Sequence, residues 1–77
     1  MNVHYKNAND HLILVNPELK QVNKIELYNL IGQQVLEIND IPNQTINEFK
    51  TQKLNTGTYI IKMYAEGNTA SKKVLVH

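Results

Sequence analysis

The chain has 77 residues, a net charge of +1, no cysteine and an apolar fraction of 42%. This length allows one domain, and the lack of cysteine excludes disulfides and thiolate metal sites. The near-neutral charge argues against a nucleic-acid-binding domain, which usually carries a concentrated basic face. The core must therefore be mainly aliphatic, because the chain has one phenylalanine and no tryptophan.

The first residues predict a short hairpin. Val3–Lys6 is a polar strand candidate, Asn7–Asp10 has the composition of a turn, and His11–Val15 is an apolar run of strand length. Pro17 ends that strand because proline cannot donate a hydrogen bond to a sheet. Residues 18–23 predict either one helical turn or an irregular connection.

The middle of the chain predicts a second hairpin. Lys24–Leu30 alternates in polarity, which places Ile25 and Leu27 on one face. Gln34–Ile38 then returns antiparallel to it. Gly32 lies between the two segments and takes the positive φ of a tight turn.

After a loop over residues 39–44, residues 45–49 predict a weakly alternating strand. The most strongly patterned stretch follows, from Leu54 to Tyr64. Its turn signal contains Gly57, and the strand after it is rich in β-branched and aromatic residues, so it is expected to lie in the middle of a sheet. The side chains expected to reach the core are Leu54, Tyr59, Ile61 and Met63. Residues 65–68 predict a tight turn and residues 70–76 a last strand.

Six or seven such strands, of about six residues each, account for the length and leave no room for a long helix. The chain is therefore predicted to be all-β, an antiparallel β-sandwich. No apolar run is long enough for a transmembrane helix, and the N-terminal residues lack the basic start and apolar core of a signal peptide. If the protein is exported, its export signal is expected on a longer parent chain.

The sequence offers no catalytic arrangement. His4, His11 and His77 are scattered without metal-ligand spacing, so they are expected to be surface or sheet-edge residues. The carboxylates occur singly, and Ser71 and Lys72, as strand neighbours, are expected to point to opposite faces. We therefore expect no enzyme activity, no catalytic residue, no metal and no cofactor.

Lys72 and Lys73 admit two interpretations. Lysines on a terminal edge strand prevent other chains from pairing with that edge. Alternatively, the edge is a recognition element, and a partner reads the lysine charges and the exposed backbone. The residue types alone leave both interpretations open.

Three blocks of the chain closely resemble the C-terminal sorting domain of the type IX (Por) secretion system, type A. The blocks are Lys24–Val35, Leu54–Lys62 and Lys72–Val76, and their order and spacing agree with that family. The family usually has tyrosine-proline-asparagine-proline before an asparagine-aspartate pair, whereas no proline precedes Asn9-Asp10 here. We therefore expect residues 1–77 to be a single sorting domain that begins within the linker or the first strand.

The resemblance implies a seven-stranded immunoglobulin-like sandwich that acts as a secretion signal. Such a domain follows a cargo domain, folds in the periplasm and is recognised by the type IX outer-membrane translocon. A sortase-like peptidase then removes it, here at or before residue 1. The cargo reaches the outer membrane and cell surface or the extracellular space. No nucleic acid and no direct membrane insertion are expected, and weak self-association through edge strands stays open.

The resemblance also assigns roles to residues. The positions that match the family motifs are Asn29, Gly32, Gly57 and Tyr59, and the last two are expected mainly to maintain the fold. The translocon is expected to recognise the terminal block, which consists of Lys72, Lys73, Val74, Leu75 and Val76. Deletion of residues 73–77 is then expected to abolish secretion while the remaining sandwich stays folded.

A second class of function is also compatible with a small sandwich, namely a fibronectin-like or carbohydrate-binding spacer of a secreted enzyme or adhesin. A sugar-binding module normally displays a row of aromatic side chains, whereas Tyr28, Tyr59 and Tyr64 are expected in core strands. A sorting domain is expected to end its reading frame near His77, and a spacer is usually followed by more protein.

Overall fold

A computed structural model describes all 77 residues as seven strands without a helix. The strands are β1 (Asn2–Lys6), β2 (His11–Val15), β3 (Val22–Asn29), β4 (Gln34–Ile38), β5 (Ile46–Lys50), β6 (Gly57–Ala65) and β7 (Asn68–Val76). Every predicted strand is present. β1, β3, β6 and β7 begin one or two residues earlier than predicted, β5 is shifted by one residue towards the C-terminus, and β3 ends one residue early, at Asn29. No segment forms a helix with the length and apolarity needed to cross a membrane.

The strands form two antiparallel sheets that enclose one core. The smaller sheet has the order β1-β2-β5, and the larger sheet has the order β4-β3-β6-β7. This arrangement confirms the predicted antiparallel sandwich and agrees with the immunoglobulin-like fold. β6 lies between β3 and β7, which confirms its predicted central position.

Alternation along the strands builds the core between the sheets. Leu12 and Leu14 of β2 are fully buried, and so are Leu27 and Ile61, which are register partners in the larger sheet. Each large aliphatic side chain removed from water contributes about 2 kcal/mol, so this cluster is the main source of stability. The predicted core residues that belong to it are Ile25, Leu27, Leu54, Tyr59, Ile61 and Met63.

Two tyrosines of the core strands face away from the core. Tyr28 and Tyr64 are half-buried on the outer face of the larger sheet, and both hydroxyls donate to Glu26 Oε1, at 3.0 and 2.5 Å. Glu26 is only 6% exposed, and Lys24 Nζ lies 3.5 Å from its other carboxylate oxygen. Because one face of a sandwich sheet remains outside, a tyrosine in a core strand is not necessarily a core tyrosine, and of these three only Tyr59 is.

Because of the hydrogen bonds between Glu26 and the two tyrosines, we expect the free energy of unfolding to fall at alkaline pH. The hydrogen bond to the Glu26 carboxylate, together with partial burial, raises the pKa of Tyr64 to about 12. Tyrosines of an unfolded chain ionise near pH 10, so above about pH 10 the unfolded state loses its proton first, and the stability falls as the pH rises through the folded-state pKa. Urea unfolding at each pH should show a smaller alkaline loss for Tyr64→Phe than for the wild-type protein. Equal losses would contradict this assignment.

Asn16 organises the connection between β2 and β3. Its side chain is buried, its Nδ2 donates to the carbonyl oxygen of Lys20 at 2.8 Å, and its Oδ1 accepts from the backbone N–H of the same residue at 3.1 Å. Its own backbone N–H donates to the carbonyl oxygen of Thr45 at 2.7 Å, which ties the connection to the start of β5. The segment is therefore irregular, which was one of the two alternatives for residues 18–23.

β5 alternates as predicted, but an amide occupies one of its core positions. Asn47 is 4% exposed, donates to the carbonyl oxygen of Pro42 at 2.9 Å and accepts from Gln44 Nε2 at 2.8 Å. Ile46 is 57% exposed. Because both ends of the Asn47 amide are hydrogen-bonded, its burial carries no large penalty, and the side chain holds the preceding loop against the core.

Candidate recognition surface

The predicted recognition segment, Lys72–Val76, lies in β7 at the edge of the larger sheet. Strand alternation divides it into two sets of side chains. Val74 and Val76 enter the core, whereas Lys73 and Leu75 face outward and are exposed. Only the outward-facing residues are accessible to a partner while the fold is intact, and the two valines hold the strand in place.

Lys72 links the edges of the two sheets. Its Nζ donates to Asn2 Oδ1 at 2.6 Å and to the carbonyl oxygen of Val3 at 2.9 Å, so its ammonium group joins β7 to β1. Hydrogen bonds from a charged donor are stronger than neutral ones, although this side chain is exposed and solvent weakens them. The two lysines of the segment therefore differ, because no side-chain hydrogen bond or ion pair occupies Lys73.

The open edge of β7 is partly covered by the turn between β1 and β2. Asn7 Nδ2 donates to the carbonyl oxygen of Leu75 at 3.5 Å, and Asn7 Oδ1 accepts from the backbone N–H of His77 at 2.8 Å. Backbone groups alternate between the two edges of a strand, so those of Ser71 and Lys73 face the same open edge. β7 pairs with no strand on that side. The contacts of Asn7 therefore cover only the end of this edge, and the part before Leu75, which includes Ser71 and Lys73, has no strand partner.

Asn29 and Gly32 build the turn between β3 and β4. Asn29 Oδ1 accepts from the backbone N–H groups of Ile31 and Gln33, at 3.2 and 2.9 Å, and its Nδ2 donates to Gln33 Oε1 at 2.9 Å. The backbone N–H of Gly32 donates to the carbonyl oxygen of Asn29 at 3.1 Å, and Gly32 has a φ of 87°, a conformation that favours glycine. Both residues therefore fix the shape of the turn.

Replacement of Asn29 by alanine should lower the free energy of unfolding by about 1–2 kcal/mol, because three side-chain hydrogen bonds are lost in an exposed turn. Urea unfolding of the purified domain measures this change. Asn55→Ala is the matched control, since Asn55 is also an exposed turn residue but its side chain makes no hydrogen bond. A loss for Asn29→Ala no larger than that of the control would contradict the role of the side chain.

Tyr59 closes the corner at the start of β6. The side chain is 7% exposed, and its hydroxyl donates to the carbonyl oxygen of Asn55 at 2.7 Å. This return hydrogen bond has the form of the tyrosine corner of immunoglobulin-like domains. Gly57 begins the strand with a φ of 156°, which other residues rarely adopt. The geometry of both residues therefore serves the fold.

The structure does not bring Ser71 and Lys72 together as a nucleophile and a base. Ser71 and Lys72 are register partners of Lys62 and Ile61, so they lie on opposite faces of the sheet. No three side chains of histidine, aspartate or glutamate lie together as a metal-binding group. One small pocket, of about 140 Å³, lies beside the turn between β6 and β7 and has Lys20 and Glu66 as its charged lining residues. Glu66 is the one carboxylate in its lining, so the pocket holds no pair of carboxylates for acid and base roles.

The structure adds two features that sequence reasoning missed. One is Asn7, whose contact with the end of β7 has no signal in the sequence. The other is the pair Leu30 and Ile31, which are 66% and 80% exposed at the tip of the turn between β3 and β4. The sequence predicts Leu30 as the last residue of β3 and Ile31 as the first residue of the turn, whereas β3 ends at Asn29. Asn29 and Gly32, which flank this pair, are the signal that the strand has already ended.

A family model described as "Secretion system C-terminal sorting domain" matches residues 5–77, which is nearly the whole chain. No curated protein and no solved structure matches the chain.

Proposed function

Because the chain belongs to the family of secretion-system C-terminal sorting domains, we propose that it is the signal by which the type IX translocon selects a cargo protein. The match over residues 5–77 carries this proposal. The family implies contact with the type IX machinery and a cargo region on the N-terminal side. It also implies export to the cell surface or the extracellular space.

The recognised surface in this proposal is the exposed part of the Lys72–Val76 segment. Lys73 and Leu75 project outward, and Lys73 lies on the part of the β7 edge that has no strand partner. An exposed sheet edge is a surface to which a partner can add a strand, with neighbouring side chains providing specificity. The absence of any other interaction of the Lys73 side chain leaves its charge available.

The other steps follow the pattern of the family. The domain folds during transit through the periplasm, and the translocon at the outer membrane binds it as a folded unit. A sortase-like peptidase then cleaves at or before residue 1, and the cargo is anchored or released. Residues 1–77 act as one domain in this scheme, and its role is non-catalytic.

The test is a reporter that carries an N-terminal export signal and residues 1–77 at its C-terminus, produced in a Gram-negative bacterium with a type IX system. We expect the reporter at the cell surface or in the medium, and we expect it to stay in the periplasm of a strain that lacks the translocon. A reporter lacking the domain is the control. Periplasmic retention of the full fusion in both strains would contradict the proposal and would favour the spacer class.

A further inference from the structure

The turn between β3 and β4 carries the two most exposed large apolar side chains of the chain. Leu30 is 66% exposed and Ile31 is 80% exposed. Turn residues are normally polar or glycine, and adjacent exposed aliphatic side chains at a turn do not contribute to the core. We call this pair the hairpin tip. The stability of the domain therefore does not explain why two large aliphatic residues occupy the hairpin tip.

The hairpin tip is held in one shape. Asn29 makes three side-chain hydrogen bonds across the turn, its backbone N–H donates to the carbonyl oxygen of Gln33 at 3.0 Å, and Gly32 supplies the positive φ. A rigid backbone presents Leu30 and Ile31 at a fixed position, so little conformational entropy is lost when a partner binds them. Adjacent exposed apolar side chains mark a candidate interaction site.

The hairpin tip lies at the same end of the larger sheet as the exposed end of β7. Asn29 is the register partner of Tyr59, and Gly57, two residues before Tyr59, is the register partner of Val76. Leu75, which is 54% exposed, projects from the outer face at this end. The hairpin tip and Leu75 therefore stand at one end of the sheet, and Lys73 is the next outward-facing residue of β7.

The chemistry of the turn favours a protein partner. Residues 29–34 contain no charged and no aromatic residue. Segments that bind membrane surfaces combine apolar groups with lysine or arginine and with aromatic residues at the interface. A neutral, purely aliphatic projection instead matches an apolar pocket in the surface of a protein.

We propose that Leu30 and Ile31 insert into an apolar pocket of a type IX machinery protein, next to the place where that protein contacts β7. This inference rests on the proposed function and adds a second contact to it. The hairpin tip supplies apolar affinity, and Lys73 supplies charge recognition at the same end of the domain. Both the hairpin tip and Lys73 are needed for the partner to recognise the domain.

The test uses the reporter fusion with the double variant Leu30→Ser/Ile31→Ser. The expected result is a fall in secretion of about tenfold or more, as for loss of a dominant apolar contact. The thermal midpoint of the domain should be unchanged because both side chains are exposed. Ile46→Ser is the matched control, since Ile46 is 57% exposed on β5 of the other sheet and should secrete normally. The conservative variant Leu30→Met/Ile31→Leu should keep most of the secretion.

Three results would overturn the inference. In the first, Leu30→Ser/Ile31→Ser is secreted at the wild-type level and Lys73→Glu is not secreted. The proposed function would then stand, and the hairpin tip would have no part in it. Binding of the purified domain to vesicles of phosphatidylethanolamine and phosphatidylglycerol, lost in the double variant, would assign the tip to a membrane. If the wild-type fusion is itself retained in the periplasm, the proposed function fails first, and the inference fails with it.

Discussion

Deletion of Lys73–His77 should unfold the domain. Val74 and Val76 are 8% and 2% exposed and belong to the core, and the deletion also removes the sheet partner from the first half of β6. Burial of two valines contributes about 4 kcal/mol. That is comparable with the whole stability expected of a domain of this size, about 4–12 kcal/mol. The measurement is circular dichroism and urea unfolding of the purified truncated chain.

This expectation replaces the one drawn from the sequence, in which the shortened sandwich stays folded. The control is the full-length double variant Lys73→Ser/Leu75→Ser, which changes the two exposed side chains and keeps both valines. It should unfold cooperatively at nearly the wild-type urea concentration. A truncated chain that unfolds like the control would show that the end of β7 is dispensable to the core. If the truncated fusion is not secreted, that result alone shows only that the domain needs its fold. It does not show that the translocon recognises the deleted residues.

Replacement of Tyr59 by alanine should lower the free energy of unfolding by about 3 kcal/mol or more, the range for loss of a buried aromatic ring. The ring is in the core, and its hydroxyl holds the corner before β6 through the carbonyl oxygen of Asn55. Tyr59→Phe removes only that hydrogen bond and should cost about 1 kcal/mol. Urea unfolding of both variants separates the contribution of the ring from that of the hydroxyl.

Tyr28→Ala is the matched control for Tyr59→Ala. Tyr28 belongs to the neighbouring strand of the same sheet but lies on the outer face, where it is half-buried. Its loss should destabilise the domain clearly less than the loss of Tyr59. A near-neutral Tyr59→Ala, or equal losses for the two variants, would show that the corner does not anchor β6 and would make Tyr59 a candidate for surface recognition.

The fold follows from local patterns in the sequence. Turn residues separate short stretches of β-branched residues throughout, so the number and order of strands can be predicted. Ile25 and Leu27 alternate with Lys24, Glu26 and Tyr28, and this period of two predicts which face of β3 is buried. The pattern fails where a polar group is buried with its partners, as at Asn47, because such partners lie in loops that no period describes.

The proposed recognition surface is harder to predict because it depends on contacts between distant parts of the chain. Strand alternation already implies that Val74 and Val76 differ from Lys73. It does not show that the Lys72 ammonium group donates hydrogen bonds to β1. Nor does it show that Asn7 binds the last backbone groups of β7. These contacts join residues about 70 positions apart. Only the packing of the two sheets brings them together.

The measurement that tests recognition by β7 most directly is secretion of the reporter fusion carrying Lys73→Glu. Glutamate keeps a charge on the edge strand and so still prevents unwanted pairing, but it reverses the sign that a partner reads. Lys50→Glu is the matched control, because Lys50 is an exposed lysine on β5, an edge strand of the smaller sheet. Circular dichroism should show both variants folded.

If β7 is the address, Lys73→Glu should leave the reporter in the periplasm, while Lys50→Glu and the conservative variant Lys73→Arg should be secreted like the wild-type fusion. Wild-type secretion of a folded Lys73→Glu fusion would contradict recognition by charge at this edge. Lys73 would then be a lysine that only protects the edge from other chains.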